Sequence, residues 1–253
     1  MNSPAFDDPV TMLLAIVGGL IPAFLWLRFW LKEDKERPEP AGLLSLTFIG
    51  GMLSVILVLP LQKIIAGMPF DSNTLVWLWA GSEEILKFLV VLVIVFPSSY
   101  LDEPVDYPIY FIVAGLGFAA LENALFLVHP VGLQDTTVSL LTGNLRFLGS
   151  TLLHAIASGF IGLIMGLSFY QHKVIKFGSF VIGIAIAIGL HSVFNLFIIE
   201  NNGELFLQVF AVLWVIAIIC MLIFEKLRRM SEPIYLRDTN IRDTTLPNPT
   251  RHY

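Results

Sequence analysis

Long apolar runs separated by short polar segments make up most of the chain. Seven runs reach the roughly 20 mostly apolar residues that a helix needs to cross a hydrocarbon core. They are Thr11 to Leu31, Leu43 to Ile64, Val76 to Phe96, Ile109 to Val128, Leu145 to Tyr170, Phe177 to Ile199 and Leu205 to Phe224. The connections carry turn and charge signals, as in Lys32 to Pro38, Pro97-Ser98-Ser99 and Asn201-Asn202-Gly203. No soluble domain is inserted between them. The pattern predicts an all-α, polytopic transmembrane bundle of about seven spanning helices, a single domain over residues 1–230. Residues 231–253 are polar, contain three prolines and read as a disordered tail.

Composition supports the membrane reading. Of 253 residues, 56% are hydrophobic and only 14% are charged, against roughly 25% in soluble domains. Mean hydropathy is +0.80. A soluble domain, a disordered chain and a disulfide scaffold are excluded, and a net charge of −5 offers no basic surface to nucleic acid. The single cysteine, Cys220, lies in an apolar run, has no partner for an intramolecular disulfide and reads as inert packing.

Met1 to Val10 contains Asp7 and Asp8 but no Lys or Arg, so it lacks the basic region of a secretory signal. The first span is therefore expected to stay as an anchor. Basic residues then set the orientation. With the N-terminus outside, 12 of the 15 fall on the cytoplasmic side: Arg28, Lys32, Lys35, Arg37, Lys173, Lys176 and six beyond Phe224. N-terminus out and C-terminus in is the expected topology. Trp77 and Trp79 read as interfacial, Arg146 as snorkelling to the outer interface, and Lys226, Arg228 and Arg229 as the stop of the last span.

Several polar residues lie within the spans, where one charge costs about 2.5–3.5 kcal/mol on insertion scales. Span three carries Glu83, Glu84 and Lys87; span four, Glu122 and Asn123; span five, His154; span six, His191 and Asn195. At about 1.5 Å rise per residue, Glu83 and Glu84 lie roughly 10–12 Å below the outer end of their span. Glu122 lies at roughly 9 Å, His154 at roughly 13 Å and His191 at roughly 12 Å. Each residue taken singly has an ordinary reading as an ion pair or hydrogen bond between helices. Independent contacts have no need to share a level, and helices of alternating direction bring these groups to one. They are expected to form one site in the outer half of the bilayer.

Local spacing agrees. Lys87 stands four residues after Glu83 and three after Glu84 and can reach either. Asn195 follows His191 by four, which lets the amide fix the imidazole. Phe118 shares a face with Glu122. Gly115, Gly117, Ala119 and Ala120 before Glu122, and Gly159, Gly162 and Gly166 after His154, allow close helix approach.

Carboxylates and imidazoles in such a set suit the activation of water. In one version Glu122, His154 and His191 hold a metal such as zinc that acidifies its water. In the other a glutamate is the general base and the histidines stabilise the oxyanion, with no metal. Both predict hydrolysis. No His-Glu-x-x-His string is present, Ser158 lacks the glycine elbow, and no Asp lies in a span. Two other classes use similar residues. A proton- or ion-coupled transporter needs buried relays, although seven spans do not divide into inverted repeats. A non-catalytic membrane scaffold keeps the fold without the reaction.

The strings Glu83-Glu84-x-x-Lys87, Phe118-x-x-x-Glu122-Asn123, His154-x-x-x-x-Gly159 and His191-x-x-x-Asn195 resemble, in order and on successive spans, the four motifs of the PrsW family of intramembrane proteases. The resemblance covers roughly Leu43 to Ile199. It departs from the related CAAX-protease and bacteriocin-processing family, in which an arginine stands one place after Lys87 and a histidine replaces the Glu-Asn pair. It implies hydrolysis of a peptide bond in a membrane-anchored protein partner, such as an anti-sigma factor, near the extracytoplasmic side of a bacterial plasma membrane. It also implies that Glu83 or Glu84 is the general base, tuned by the other carboxylate and by Lys87. Glu122, Asn123, His154 and His191 would then bind the water, a metal or the oxyanion, with Asn195 orienting His191. Zinc and no metal both remain open at this point.

Overall fold

A computed structural model of the chain describes residues 8–33, 38–132, 149–200 and 206–244. These form seven helices, and no strand occurs among the described residues. They are α1 (Pro9–Glu33), α2 (Ala41–Ala66), α3 (Ser72–Ile94), α4 (Asp106–Gly132), α5 (Thr151–Leu167), α6 (Lys173–Glu200) and α7 (Phe206–Thr244). Each covers one of the seven apolar runs. Arg146, the Asn201-Asn202-Gly203 turn, residues 1–7 and residues 245–253 lie outside the described residues. α7 continues as helix to Thr244, into the stretch expected to be a disordered tail.

Five helices are long and apolar enough to cross a membrane: Pro9–Lys32, Ala41–Ala66, Asp106–Val128, Lys173–Ile198 and Leu207–Met230. α3 has the length but carries Glu83, Glu84 and Lys87, which its partners rather than its hydropathy must accommodate. α5 is apolar and has 17 described residues. α3 opens on a side-chain cap, with Asp71 accepting from the Thr74 amide at 3.3 Å, which satisfies one free donor of the first turn.

α4 is the centre of the bundle. In its span 78% of residues are buried, against 22–33% in the other four long apolar helices. It touches α1, α2, α3 and α5, so it is apolar all round, with Ile109, Phe111, Leu116 and Phe118 among its fully buried side chains. α6 packs on α5 and α3. α7 packs on α5, and its Trp214 and Phe224 meet Trp26 and Trp30 of α1. The outward faces carry Leu13, Leu57, Val93, Val212 and Leu222, the surface expected against lipid.

Glycine lets α4 approach its neighbours backbone to backbone. A Cβ on Gly117 would stand 2.0 Å from the Phe48 carbonyl oxygen of α2, and one on Gly51 would stand 2.2 Å from that of Ala114. The two contacts are reciprocal, the close packing expected of small residues on facing membrane helices. Gly115 does the same toward α5, where a Cβ would meet the His154 carbonyl oxygen at 2.6 Å.

Gly117→Ala is expected to push α2 from α4 and to cost about 1–3 kcal/mol, the usual penalty of overpacking, in reversible unfolding from detergent. Gly178→Ala on α6 serves as the comparison. Nothing lies within 4 Å of its added Cβ, so stability should not fall.

Candidate active site

Adjacent residues on a helix are turned by about 100°, so Glu83 and Glu84 of α3 cannot face the same way. Glu84 points into the bundle and is completely buried, as is Lys87 one turn on. Lys87 Nζ lies 2.7 Å from Glu84 Oε1 and 2.8 Å from His154 Nδ1 of α5, and sits over the Phe118 ring of α4 at 4.4 Å. Glu84 also takes the Ser158 hydroxyl on Oε2 at 3.3 Å and faces His191 Nδ1 of α6 at 2.8 Å. Three donors from three helices thus converge on one carboxylate, which is what a buried charge requires.

These contacts assign the imidazole protons. An ammonium can only donate, so His154 Nδ1 accepts and its proton sits on Nε2, which donates to Glu122 Oε2 at 3.1 Å. A carboxylate can only accept, so His191 Nδ1 carries a proton, and in the neutral ring Nε2 presents a lone pair. The two rings are 5.0 Å apart and nearly perpendicular, and they hold opposite tautomers.

Glu83 turns the other way, onto a cavity of about 860 Å³ lined by α2 to α6. That size is near the upper end for ligand clefts. Glu122, His154, His191 and Asn195 share its wall with Glu83. α1 and α7 contribute nothing to it. All the wall residues come from one end of the bundle, the end where α2 leads into α3, as the common depth predicts. Glu83 Oε1 accepts from Gln62 Nε2 of α2 at 2.8 Å. Its Oε2 is buried, has no hydrogen-bond partner among the described residues, and lies 3.6 Å from His191 Nε2.

Ligand atoms of Glu83, His154 and His191 all lie within 4.8 Å of one another, the clustering that a metal needs. The carboxylate of this trio is Glu83, where the sequence suggested Glu122, because Glu122 is engaged by His154 and by Ser150 Oγ at 3.3 Å. The donor set does not fit a three-ligand zinc. Glu83 and His191 offer lone pairs, but Lys87 places a proton on the His154 nitrogen that faces Glu122, and an N–H cannot ligate.

Two other expectations change in detail. Glu84, rather than Asn195, holds His191 Nδ1, because both α3 and α6 face the buried interior at that level; Asn195 lies on the cavity wall. Asn123 turns to α5, donating to Thr151 Oγ1 at 2.8 Å. Gln62 was missed, since a polar residue near the end of a span costs little and draws no notice. Ser150 and Ser158 were missed as hydrogen-bonding partners because serine is common on helix faces in membranes.

Removing one partner of the Glu84–Lys87 pair strands a buried charge. Glu84→Leu or Lys87→Met alone should cost about 3–5 kcal/mol in detergent unfolding, and the double variant should regain most of it. A double-variant loss equal to the sum of the two single losses would show that the pairing contributes nothing.

Sequence comparison agrees with the geometry. The family described as "PrsW family intramembrane metalloprotease" matches residues 39–223. A protein named Protease PrsW from Bacillus subtilis (strain 168) is 28% identical over 165 residues, 64% of this chain and 69% of its own. Its namesake from Geobacillus kaustophilus is 31% identical over 120 residues, covering 46% and 53%. The Oceanobacillus iheyensis protein of that name is 27% identical over 213 residues, covering 82% and 94%. No solved structure matches. The chain is a multi-pass membrane protein with an all-helical fold, and it belongs to the PrsW family of intramembrane peptidases.

Proposed function

We propose that this protein hydrolyses a peptide bond of a membrane-anchored protein, such as an anti-sigma factor, with Glu83 as the general base and without a metal. The observation that carries the reading is Glu83 itself. Among the described residues it takes one hydrogen bond, and its second oxygen looks across 3.6 Å at Nε2 of His191. Two acceptors so placed suit the two O–H bonds of one water, whose oxygen lone pairs then point into the cavity.

Attack by that oxygen on the peptide carbonyl forms the C–O bond while the proton passes to Glu83 Oε2. The charge on the carbonyl oxygen is met by the Asn195 side-chain amide on the wall. Collapse breaks the C–N bond, and Glu83 returns the proton to the leaving nitrogen. Glu84 does not touch the reacting atoms. It keeps His191 in the tautomer that accepts, as Lys87 keeps His154 in the tautomer that donates, while Glu122 fixes the direction of the His154 ring. Asn123 ties α4 to α5 behind them.

The distribution of basic residues favours an N-terminus outside and a C-terminus inside, in a bacterial plasma membrane. In that orientation the cavity opens toward the extracytoplasmic half of the bilayer, where the substrate would be cut. Residues 1–230 would form the protease domain, with residues 231–253 as a cytoplasmic extension.

With purified protein in liposomes and a single-span reporter, the wild type should cleave and Glu83→Ala should lose roughly 10²–10⁴-fold in rate. Wild-type turnover by Glu83→Ala would remove the base assignment, and ion flux without cleavage would point to transport instead. Exhaustive chelation should leave cleavage unchanged. A loss that zinc restores would overturn the metal-free mechanism.

A further inference from the structure

We infer that Gln62 of α2 is a positioning residue for the reaction: its side-chain amide occupies one oxygen of the Glu83 carboxylate and holds the plane of the group so that the other oxygen meets the reacting water. The inference rests on the reading of Glu83 as base. α2 carries none of the four motif strings, yet among the described residues it supplies the one hydrogen bond that Glu83 receives, from Gln62 Nε2 to Oε1 at 2.8 Å. Without it the carboxylate turns about a broad torsion and its plane is no longer held toward His191. With it, the free oxygen is aimed at His191 Nε2.

Gln62 is itself held at a second point. Trp79 Nε1 donates to the Gln62 main-chain carbonyl oxygen at 3.3 Å. Trp79 precedes Glu83 by one helical turn and shares its face of α3. One face of α3 therefore grips Gln62 by the main chain and by the side chain, so the amide cannot swing away without disturbing the α2–α3 contact.

The neutral amide also suits the task. Glu84, the structural carboxylate, is paired with an ammonium that holds its charge in place. A base has to accept a proton in the reaction, and a neutral donor orients it without an opposing full charge at contact distance.

The test compares Gln62→Met, which keeps side-chain length without a donor, with Gln62→His, which restores an N–H of similar reach. Trp79→Phe, which removes the main-chain hydrogen bond and trims the ring at the cavity wall, and Glu83→Ala run alongside in the same liposome assay. Gln62→Met should lower kcat roughly 10- to 100-fold, the weight of a hydrogen bond to a charged group, with half-saturation by substrate unchanged. Gln62→His should recover most of that loss, and Trp79→Phe should lose less than Gln62→Met. Wild-type kcat in Gln62→Met overturns the inference. Equal losses in Gln62→Met and Trp79→Phe with no recovery by histidine overturn it too, since that pattern belongs to helix packing alone. Should Gln62→Met not fold, Gln62→Leu takes its place under the same criteria. Full activity in Glu83→Ala is a different failure, because it removes the base assignment and leaves Gln62 nothing to position.

Discussion

One buried ammonium organises the site. Lys87 Nζ bridges Glu84 of its own helix and His154 of α5, with the face of Phe118 from α4 beneath it. Placing that charge inside a membrane bundle is costly unless every donor finds an acceptor. Meeting this demand fixes the rotation of α3 and the proton on His154. Through Glu84 it also fixes the proton on His191. The groups on the cavity wall thus inherit their donor and acceptor roles from Lys87 and Glu84, which do not line the cavity.

The surrounding fold makes such a cluster affordable. α4 is buried on all sides and is met by α2 and α5 at glycine contacts too close for any other side chain. Backbones at that distance leave no room for lipid tails beside the polar groups. The polar layer is enclosed by protein, and only the face toward the cavity is open to water.

Much of this was legible in the sequence, and the reason is depth. Charges are expensive enough within apolar runs that their positions along each run predicted a common level on four helices, and the structure places them around one centre. Direction was not legible. Glu83 and Glu84 are neighbours that spacing alone could not separate, since Lys87 reaches both by count. Only the rotation of α3 against α5 and α6 shows which one faces the cavity. The spacing of His191 and Asn195 suggested a pair within one helix, but a carboxylate from α3 reached the ring first. Gln62 could not be found from its own helix, because its meaning depends on which residue of α3 packs against it. The helical run of α7 beyond Met230 contradicts the polarity of that stretch, which resembles a tail in composition.

The chamber is walled by the five middle helices, while the first and last stand outside it among the described residues and meet through tilted contacts of tryptophan and phenylalanine rings. Those two outer helices answer mainly to lipid and to their immediate neighbours. Their lipid-facing positions can change with bilayer thickness or lipid type without altering the cavity wall. In this architecture, adaptation to a new membrane and retention of an old reaction are carried by different parts of one chain.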